Sequence, residues 1–303
     1  MNIIFNKIKY ISENLKNSFR KYFFNVKKYL WKDKYVFGNK GQKKIIEGTV
    51  NLHYWSLKNG EDNLGDYLSK IIFEWMLSQN NIENKVKKTK HLYSVGSILG
   101  FGYQDAVIWG SGILEENNEL KNRMKHAHLD IRCLRGPLTR KLLIDWGICD
   151  EKTPEIYGDP AVLMPLIYKP EKTIKKYDYV VIPHFSKYET QKNLNNKDNI
   201  KVINMKTINF EKVITEIVSA KVVISSSLHG IILAESYGIP AIYVKTGNSF
   251  KYRDWYYSTG RKNIKSVTSV EEAYTIVPMT LPNVTSLQKN LLQSFPKDLW
   301  QKR

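Results

Sequence analysis

A serine-rich turn that leads into a histidine is the segment of this sequence best suited to chemistry. Residues 221–244 read KVVISSSLHGIILAESYGIPAIYV, a buried strand that runs through three serines directly into a helix. The unpaired N–H groups of the first helical turn and the serine hydroxyls predict an anion site. His229 would reach a bound phosphate or carboxylate and Gly230 would let a ligand approach the backbone, although a histidine packed in a tight turn is the alternative. The predicted anion site comprises Ser225, Ser226, Ser227, Leu228, His229 and Gly230.

Charged side chains follow two other predicted strands. In LRGPLTR, residues 134–140, Arg135 ends a strand just before a helix that begins at Pro137. A guanidinium at the carboxyl edge of a sheet suits a phosphate or carboxylate, and a structural ion pair is the alternative. In DNLGD, residues 62–66, Gly65 makes a tight turn, and Asp66 either caps the following helix or meets sugar hydroxyls.

Short β-rich runs alternate with helical stretches, which predicts parallel sheets with helices on both faces. The fold class is therefore α/β, with two doubly wound, Rossmann-like domains at 45–168 and 169–280 and a C-terminal helix in 281–303. Ligands bind at the carboxyl ends of strands in such sheets, so the segments above would line one cleft. Residues 250–261, FKYRDWYYSTGR, are predicted to form a basic aromatic loop that stacks a sugar or closes over a donor. Strands are predicted at 49–55, 92–95, 106–109, 131–134, 179–182, 201–204, 221–225 and 241–244.

Residues 1–37 predict a basic amphipathic helix. Apolar residues recur every three or four positions between residues 4 and 30, with lysines and arginines beside them. Such a helix suits a membrane surface that carries anionic lipid. The alternative is a helix that packs on the body of the protein or on a second subunit.

The charge and the cysteine content limit which classes of partner and which cellular compartment are expected. The chain has 47 Lys and Arg against 29 Asp and Glu, a net charge of +18, so its partners are expected to be anionic. Nucleic acid is not expected, because basic residues concentrate in the N-terminal helix and no RNA-binding motif is present. Only two cysteines occur, and no secretory signal or membrane-spanning run is seen. We expect a cytoplasmic protein, peripheral on the inner face of the plasma membrane.

Seven motifs in order resemble the polysaccharide pyruvyl transferase family, particularly its bacterial exopolysaccharide branch. The resemblance implies a fold similar to two-domain GT-B glycosyltransferases, with phosphoenolpyruvate as donor substrate and no metal or redox cofactor. His126 and His128, which alternate in an extended stretch, lack further ligands at metal spacing. The resemblance spans roughly residues 49–261, and its motifs are DNLGD, GSGIL, RGPLTR, YGDPAVLMP, IPH at 182–184, SSSLHGIILAESYGIP and DWYYSTGR.

The resemblance also assigns roles by position. It makes His229 the general acid and Arg135 a donor-binding arginine, and Asp66 completes the predicted catalytic set. Another branch of the family has arginine where this chain has Ser227, so other groups must meet part of the donor's charge. The predicted substrate-binding residues are Asn63, Gly65, His184, Ser225, Ser226, Ser227, Leu228, Gly230 and Arg261.

These features predict transfer of a pyruvyl group, as a ketal, onto a hydroxyl pair of a sugar in a bacterial exopolysaccharide or capsule, or in its lipid-linked precursor. The competing hypothesis is a glycosyltransferase of the same architecture with a nucleotide-sugar donor, for which Glu235 is a candidate acidic residue. A catalytically inert partner in a membrane-bound polysaccharide assembly is a third possibility.

Overall fold

The computed structural model describes residues 45–56, 62–171, 174–196 and 199–301. The amphipathic helix predicted for residues 1–37 lies outside these ranges. Within them, no helix has both the length and the apolar character needed to cross a membrane. The elements of the first half are β1 (Val50–His53), α1 (Leu64–Gln79), β2 (Lys90–Tyr93), β3 (Asp105–Trp109), α2 (Asn118–Met124), β4 (His128–Cys133), α3 (Pro137–Asp145) and α4 (Met164–Ile167).

The second half continues the alternation of strands and helices. Its elements are β5 (Tyr177–Ile182), α5 (Tyr188–Gln191), β6 (Ile200–Val202), α6 (Phe210–Val218), β7 (Ala220–Ser225), α7 (Leu228–Ser236), β8 (Ala241–Val244), α8 (Phe250–Ser258), β9 (Ser266–Val267), α9 (Val270–Ala273) and α10 (Val284–Ser294).

The strands form two sheets in which every pairing between named strands is parallel. The first sheet has the strand order β1-β2-β3-β4 and the second β6-β5-β7-β8-β9. Parallel neighbours need crossover connections, which helices such as α1, α6 and α7 supply. The α/β architecture with parallel sheets that the alternating pattern predicted is therefore confirmed.

The segment predicted to be a basic aromatic loop is helix α8, so that prediction was wrong. Tyr252, Trp255 and Tyr256 have the i, i+3, i+4 spacing of one helical face, and all three are buried. Tyr252 stacks on Tyr243 of β8 with ring centroids 4.2 Å apart, and the Trp255 indole N–H donates to Glu235 over 3.1 Å. These rings belong to the core and do not offer a sugar a stacking surface.

Apolar packing joins the two halves of the chain. One continuous core cluster contains Leu52 of the first sheet and Val223 of the second, together with Leu291 of α10. The Trp109 indole N–H on β3 donates to the carbonyl of Leu291 over 3.0 Å. The C-terminal helix thus returns to pack against the first sheet.

Asp254 of α8 is wholly buried at the N-terminus of α3. Its Oδ2 lies 3.0 Å from both Nε and Nη2 of Arg135 and accepts from the Thr139 hydroxyl over 2.7 Å. The Thr139 backbone N–H donates to Asp254 Oδ1 over 2.9 Å. The carboxylate satisfies a free donor in the first turn of α3 and pairs with the guanidinium, so it ties α8 to the first half of the chain.

We expect Arg135→Met and Asp254→Asn each to lower the free energy of unfolding by about 3–5 kcal/mol, since each leaves the partner's charge buried and unpaired. The double variant should lose less than the sum of the two, because no lone charge remains. Urea denaturation of the four proteins measures this coupling. Strictly additive losses would show that Arg135 and Asp254 do not stabilise the fold as a pair.

Candidate active site

Hydrogen bonds made by its serines hold the turn between β7 and α7 in place. The Ser225 hydroxyl donates to the Ile182 carbonyl over 2.8 Å and accepts from the Ser227 N–H over 2.9 Å. A Cβ on Gly230 would lie 2.5 Å from Ser225 Oγ. The protein itself fills the space beside Gly230, which corrects the prediction that a ligand approaches the backbone there.

The other residues of this turn have different surroundings. Ser226 Oγ accepts from the His184 N–H over 2.9 Å, and the Ser226 carbonyl accepts from the Tyr252 hydroxyl over 2.7 Å. Leu228 is buried in the core. Ser227 is half-buried at the N-cap of α7, and its side chain does not cap the helix. Ser227 is thus the serine whose hydroxyl is not used to build the turn.

His229 lies in the first turn of α7, with 8% of its surface exposed. Its imidazole packs directly on α1, since a Cβ added to Gly65 would lie 2.1 Å from Nδ1. Nε2 lies 3.7 Å from Oδ2 of Asp159, and in the described part of the chain neither of these two atoms has a hydrogen-bond partner. Gly65 therefore makes room for the imidazole, a role that the sequence did not indicate.

Asp159 is a residue to which the sequence assigned no chemistry. It is wholly buried, and its Oδ1 accepts from the Ala161 N–H over 3.0 Å, which caps a 3-10 helix at Pro160–Leu163. Its second oxygen faces His229. Nothing in the YGDP motif indicates this contact, because the histidine lies far along the chain and only the fold brings the two together.

Asp66 occupies the first turn of α1, whose N-cap is Asn63, so Asp66 is not the cap. Asn63 Nδ2 donates to Asp66 Oδ2 over 2.6 Å. Burial raises the pKa of the Asp66 carboxyl above its ordinary value, and Asp159 adds to the rise, while His229, Asn63 and Lys251 oppose it. The structure thus brings Asp66 and Asn63 to the same place as His229.

Two further basic groups reach this place. His184 follows β5, and its Nδ1 lies 2.9 Å from the hydroxyl oxygen of Ser186. Burial lowers the pKa of His184, and the positive charge of Lys251 lowers it further. Lys251 belongs to the first turn of α8, and the sequence missed it because α8 was predicted to be a loop.

In this structure Arg135 forms a structural ion pair, which was the alternative to binding a phosphate or carboxylate. Its side chain is wholly buried, and besides Asp254 it donates to the Ile113 carbonyl over 2.7 Å and bonds the Ser97 hydroxyl. A loop at 250–261 would have left this guanidinium open to a donor, whereas helix α8 carries Asp254 onto it. The predicted contact between Arg135 and the donor is therefore replaced here by a contact with the protein.

Arg261 lies away from the other predicted site residues. Its guanidinium binds Glu235 with both Nη atoms, over 2.6 and 2.8 Å, and stacks on Tyr256 with 4.6 Å between its Cζ and the ring centroid. Glu235 is near the C-terminal end of α7, about 9 Å along the helix axis from His229. This bidentate pair occupies Arg261, so the predicted role in donor binding is corrected.

Five ionisable side chains therefore meet where the two sheets converge, and we call them the strand-end cluster. They combine two carboxyls, two imidazoles and one amine, so the cluster can donate and accept protons and can bind an anion. Within the described ranges, no group of three or more His, Cys, Asp or Glu is placed to hold a metal ion. The strand-end cluster is Asp66, Asp159, His184, His229 and Lys251.

Comparisons with known proteins find relatives of low sequence identity. The uncharacterized protein L143 of Acanthamoeba polyphaga mimivirus is 28% identical over 219 residues, which cover 68% of this chain and 73% of that protein. The succinoglycan biosynthesis protein ExoV of Rhizobium meliloti is 26% identical over 229 residues, covering 69% of this chain and 64% of that protein. A solved structure of a functionally uncharacterized Klebsiella pneumoniae protein has a TM-score of 0.46 and 14% identity, over 69% of this chain and 88% of that one.

The family model described as polysaccharide pyruvyl transferase matches residues 10–248. That range includes the turn at Asp66, the start of α3 and the serine turn before His229. Because the match covers most of the sequence and the residues of four of the five cluster positions, this chain belongs to the polysaccharide pyruvyl transferase family.

Proposed function

We propose that this protein transfers the pyruvyl group of phosphoenolpyruvate onto two hydroxyls of a saccharide. Family membership supports pyruvyl transfer in polysaccharide biosynthesis. The observation that carries the proposal is the position of His229, whose imidazole lies between Asp159 and the first turn of α1, in electrostatic contact with Asp66. An acid and a base thus stand together where the carboxyl ends of the two sheets meet.

The proposed reaction replaces one phosphate ester with two C–O bonds. His229 donates a proton to the methylene carbon of the donor, which becomes a methyl group, and the adjacent carbon becomes electrophilic. An acceptor hydroxyl attacks that carbon and gives its proton to Asp66. The C–O bond to phosphate then breaks, the phosphate leaves with the bonding electrons, and the second hydroxyl closes the ketal as its proton passes to the phosphate. The proton on Asp66 balances the one lost from His229.

The donor needs an environment that favours negative charge. The N-terminus of α7 presents unpaired N–H groups and the positive end of the helix dipole, next to the Ser227 hydroxyl. These groups lie within two residues of His229, so an anion bound there would bring the methylene carbon of the donor near the imidazole. The chemistry draws on the energy of the enol phosphate and needs no metal or redox cofactor.

The acceptor is proposed to be a cell-surface polysaccharide or its lipid-linked precursor. A relative named for succinoglycan biosynthesis supports a polysaccharide. In the proposed arrangement the two sheets act as the halves of a GT-B-like fold, with the acceptor on the side of α1 and the donor on the side of α7. The basic helix predicted at residues 1–37 would hold the enzyme at the inner face of the membrane, where a lipid-linked acceptor resides.

The contacts of Glu235 weigh against a nucleotide-sugar glycosyltransferase. That alternative would use Glu235 for the ribose of the donor. Both carboxylate oxygens of Glu235 are bound to Arg261, and one also accepts from the Trp255 indole. Glu235 is only 3% exposed, and its carboxylate is fully used in contacts within the fold.

Replacement of His229 by Gln should reduce turnover by a factor of about 10² or more, the usual loss for a general acid, while leaving the fold intact. The assay incubates a candidate acceptor saccharide with phosphoenolpyruvate and follows the mass of one pyruvyl ketal on the acceptor and the release of phosphate. Near-normal turnover by His229→Gln would remove the catalytic role. Transfer from a nucleotide-sugar in place of phosphoenolpyruvate would overturn the proposed function.

Asp159→Asn tests the contribution of the carboxylate that faces His229. Asparagine keeps an oxygen that can accept from the Ala161 N–H but removes the charge that faces Nε2 of His229. Turnover in the phosphoenolpyruvate assay should fall by less than in His229→Gln, because the imidazole itself remains.

The pKa of Asp66 predicts a pH-dependent cost to stability. Burial raises this pKa, so between the ordinary value of about 4 and the raised value the folded state holds a proton that the unfolded state has lost, and the stability from this group falls across that interval as pH rises. Asp66→Asn should therefore raise Tm at pH 7 relative to wild type, with a smaller gain at pH 4, while abolishing turnover. The exposed Asp145→Asn is the control. Equal effects of Asp66→Asn at both pH values would contradict the prediction.

Deletion of residues 1–37 should abolish binding to anionic liposomes, since each basic residue near such a surface contributes about 1 kcal/mol. Phosphoenolpyruvate-dependent turnover of a soluble acceptor should persist, because the strand-end cluster lies outside the deleted segment. Co-sedimentation with anionic vesicles, and with neutral vesicles as the control, measures the binding. If the shortened and full-length proteins sediment equally, the N-terminal segment has another role.

A further inference from the structure

Contacts of two α8 residues, Tyr252 and Asp254, place the first turn of this helix between the strand ends of both sheets. The Tyr252 hydroxyl donates to the Ser226 carbonyl over 2.7 Å, in the turn before α7. Asp254 is bound by Arg135 and Thr139 at the start of α3. Lys251 is the residue that immediately precedes this anchored segment, so the backbone position of its amine-bearing side chain is fixed at the convergence of the two sheets.

Lys251 is a half-buried cation that lacks a closed ion pair with the described residues. Its charge interacts with Asp66 and with His184, and its Nζ lies over the Tyr252 ring, 5.2 Å from the ring centroid. Burial lowers the pKa of Lys251, and the neighbouring Arg135 lowers it further, while Asp66 opposes the change. A charged amine held in such a place costs free energy that a bound anion would offset.

The other cations considered for the donor are engaged or distant. Arg135 is wholly buried against Asp254, and Arg261 is bound by Glu235 near the C-terminal end of α7. Lys245 is exposed at the end of β8. Of these, Lys251 alone belongs to the strand-end cluster that contains His229.

We propose that Lys251 is the cation that binds the anionic groups of the donor, and that Arg135 acts as a positioning residue, which holds α8 in place through Asp254. The assignment rests on the proposed function. A lysine amine makes point-charge contacts to phosphate or carboxylate. The first turn of α8 is anchored to the turn that precedes His229, so an anion bound by Lys251 lies near the group that gives the donor its proton. In the absence of a donor, Asp66 balances part of the amine's charge.

The test measures phosphoenolpyruvate binding to the full-length protein by calorimetry. Lys251→Gln should raise Kd at least about tenfold, since a hydrogen bond to a charged group contributes about 1.5–3 kcal/mol. Lys251→Arg should recover part of the affinity. Arg253→Gln is the matched control, because it removes one positive charge from an exposed position on the same helix and should leave Kd within about twofold.

A second readout needs no substitution. Phosphoenolpyruvate should protect Lys251 of the wild-type protein from acetylation by acetic anhydride, as measured by peptide mass, and should leave Lys245 unprotected. Wild-type affinity in Lys251→Gln, equal weakening in Lys251→Gln and Arg253→Gln, or no protection of Lys251 would overturn the assignment and leave the proposed function standing. Failure of the wild-type protein to bind phosphoenolpyruvate would overturn the proposed function and the assignment with it.

Discussion

The buried carboxylate of Asp254 is the contact on which the geometry of the site depends. It fills the N-terminus of α3, pairs with Arg135 and fixes α8 across the join between the halves. The fit is close, since a Cβ on Gly136 would lie 2.1 Å from the Asp254 carbonyl oxygen. Because α8 also bonds the turn before α7 through Tyr252, one helix sets the distance between the strand ends of both sheets.

A second close approach sets the distance between α1 and α7. The imidazole of His229 occupies the volume that a side chain at Gly65 would need, so the two helix N-termini touch through this imidazole. Asp159 closes the other side of the ring. The histidine is thus confined between two elements of the first half while it is carried by the second, which makes its position a property of the whole fold.

The sequence predicted the parts of the site that local pattern determines. Strand-to-helix turns are visible in composition, and placing Asp66, Arg135 and His229 at strand ends follows from the rule that such turns share one edge of a sheet. The sequence did not predict which charged side chains form ion pairs with each other. Arg135 and Asp254 lie far apart in the chain, and the aromatic residues around Asp254 resemble an exposed loop until their spacing is read as one helical face. Asp159 and Lys251 were missed because their neighbours in the fold are also far from them in the chain.

The charged side chains in and around the strand-end cluster differ in whether an opposite charge lies close to them, and this difference has a chemical consequence under the proposed function. Arg135 is neutralised by Asp254, whereas Asp66 and Lys251 are desolvated without a close partner of opposite charge. An anionic donor beside Lys251 stabilises the amine's charge, and the same anion raises the proton affinity of Asp66 further, because like charges disfavour ionisation. Asp66 therefore becomes a stronger base when the donor is bound, at the step in which an acceptor hydroxyl must lose its proton. A carboxylate already paired with a cation would lack this response, which is why an open cluster suits the reaction better than a set of closed ion pairs.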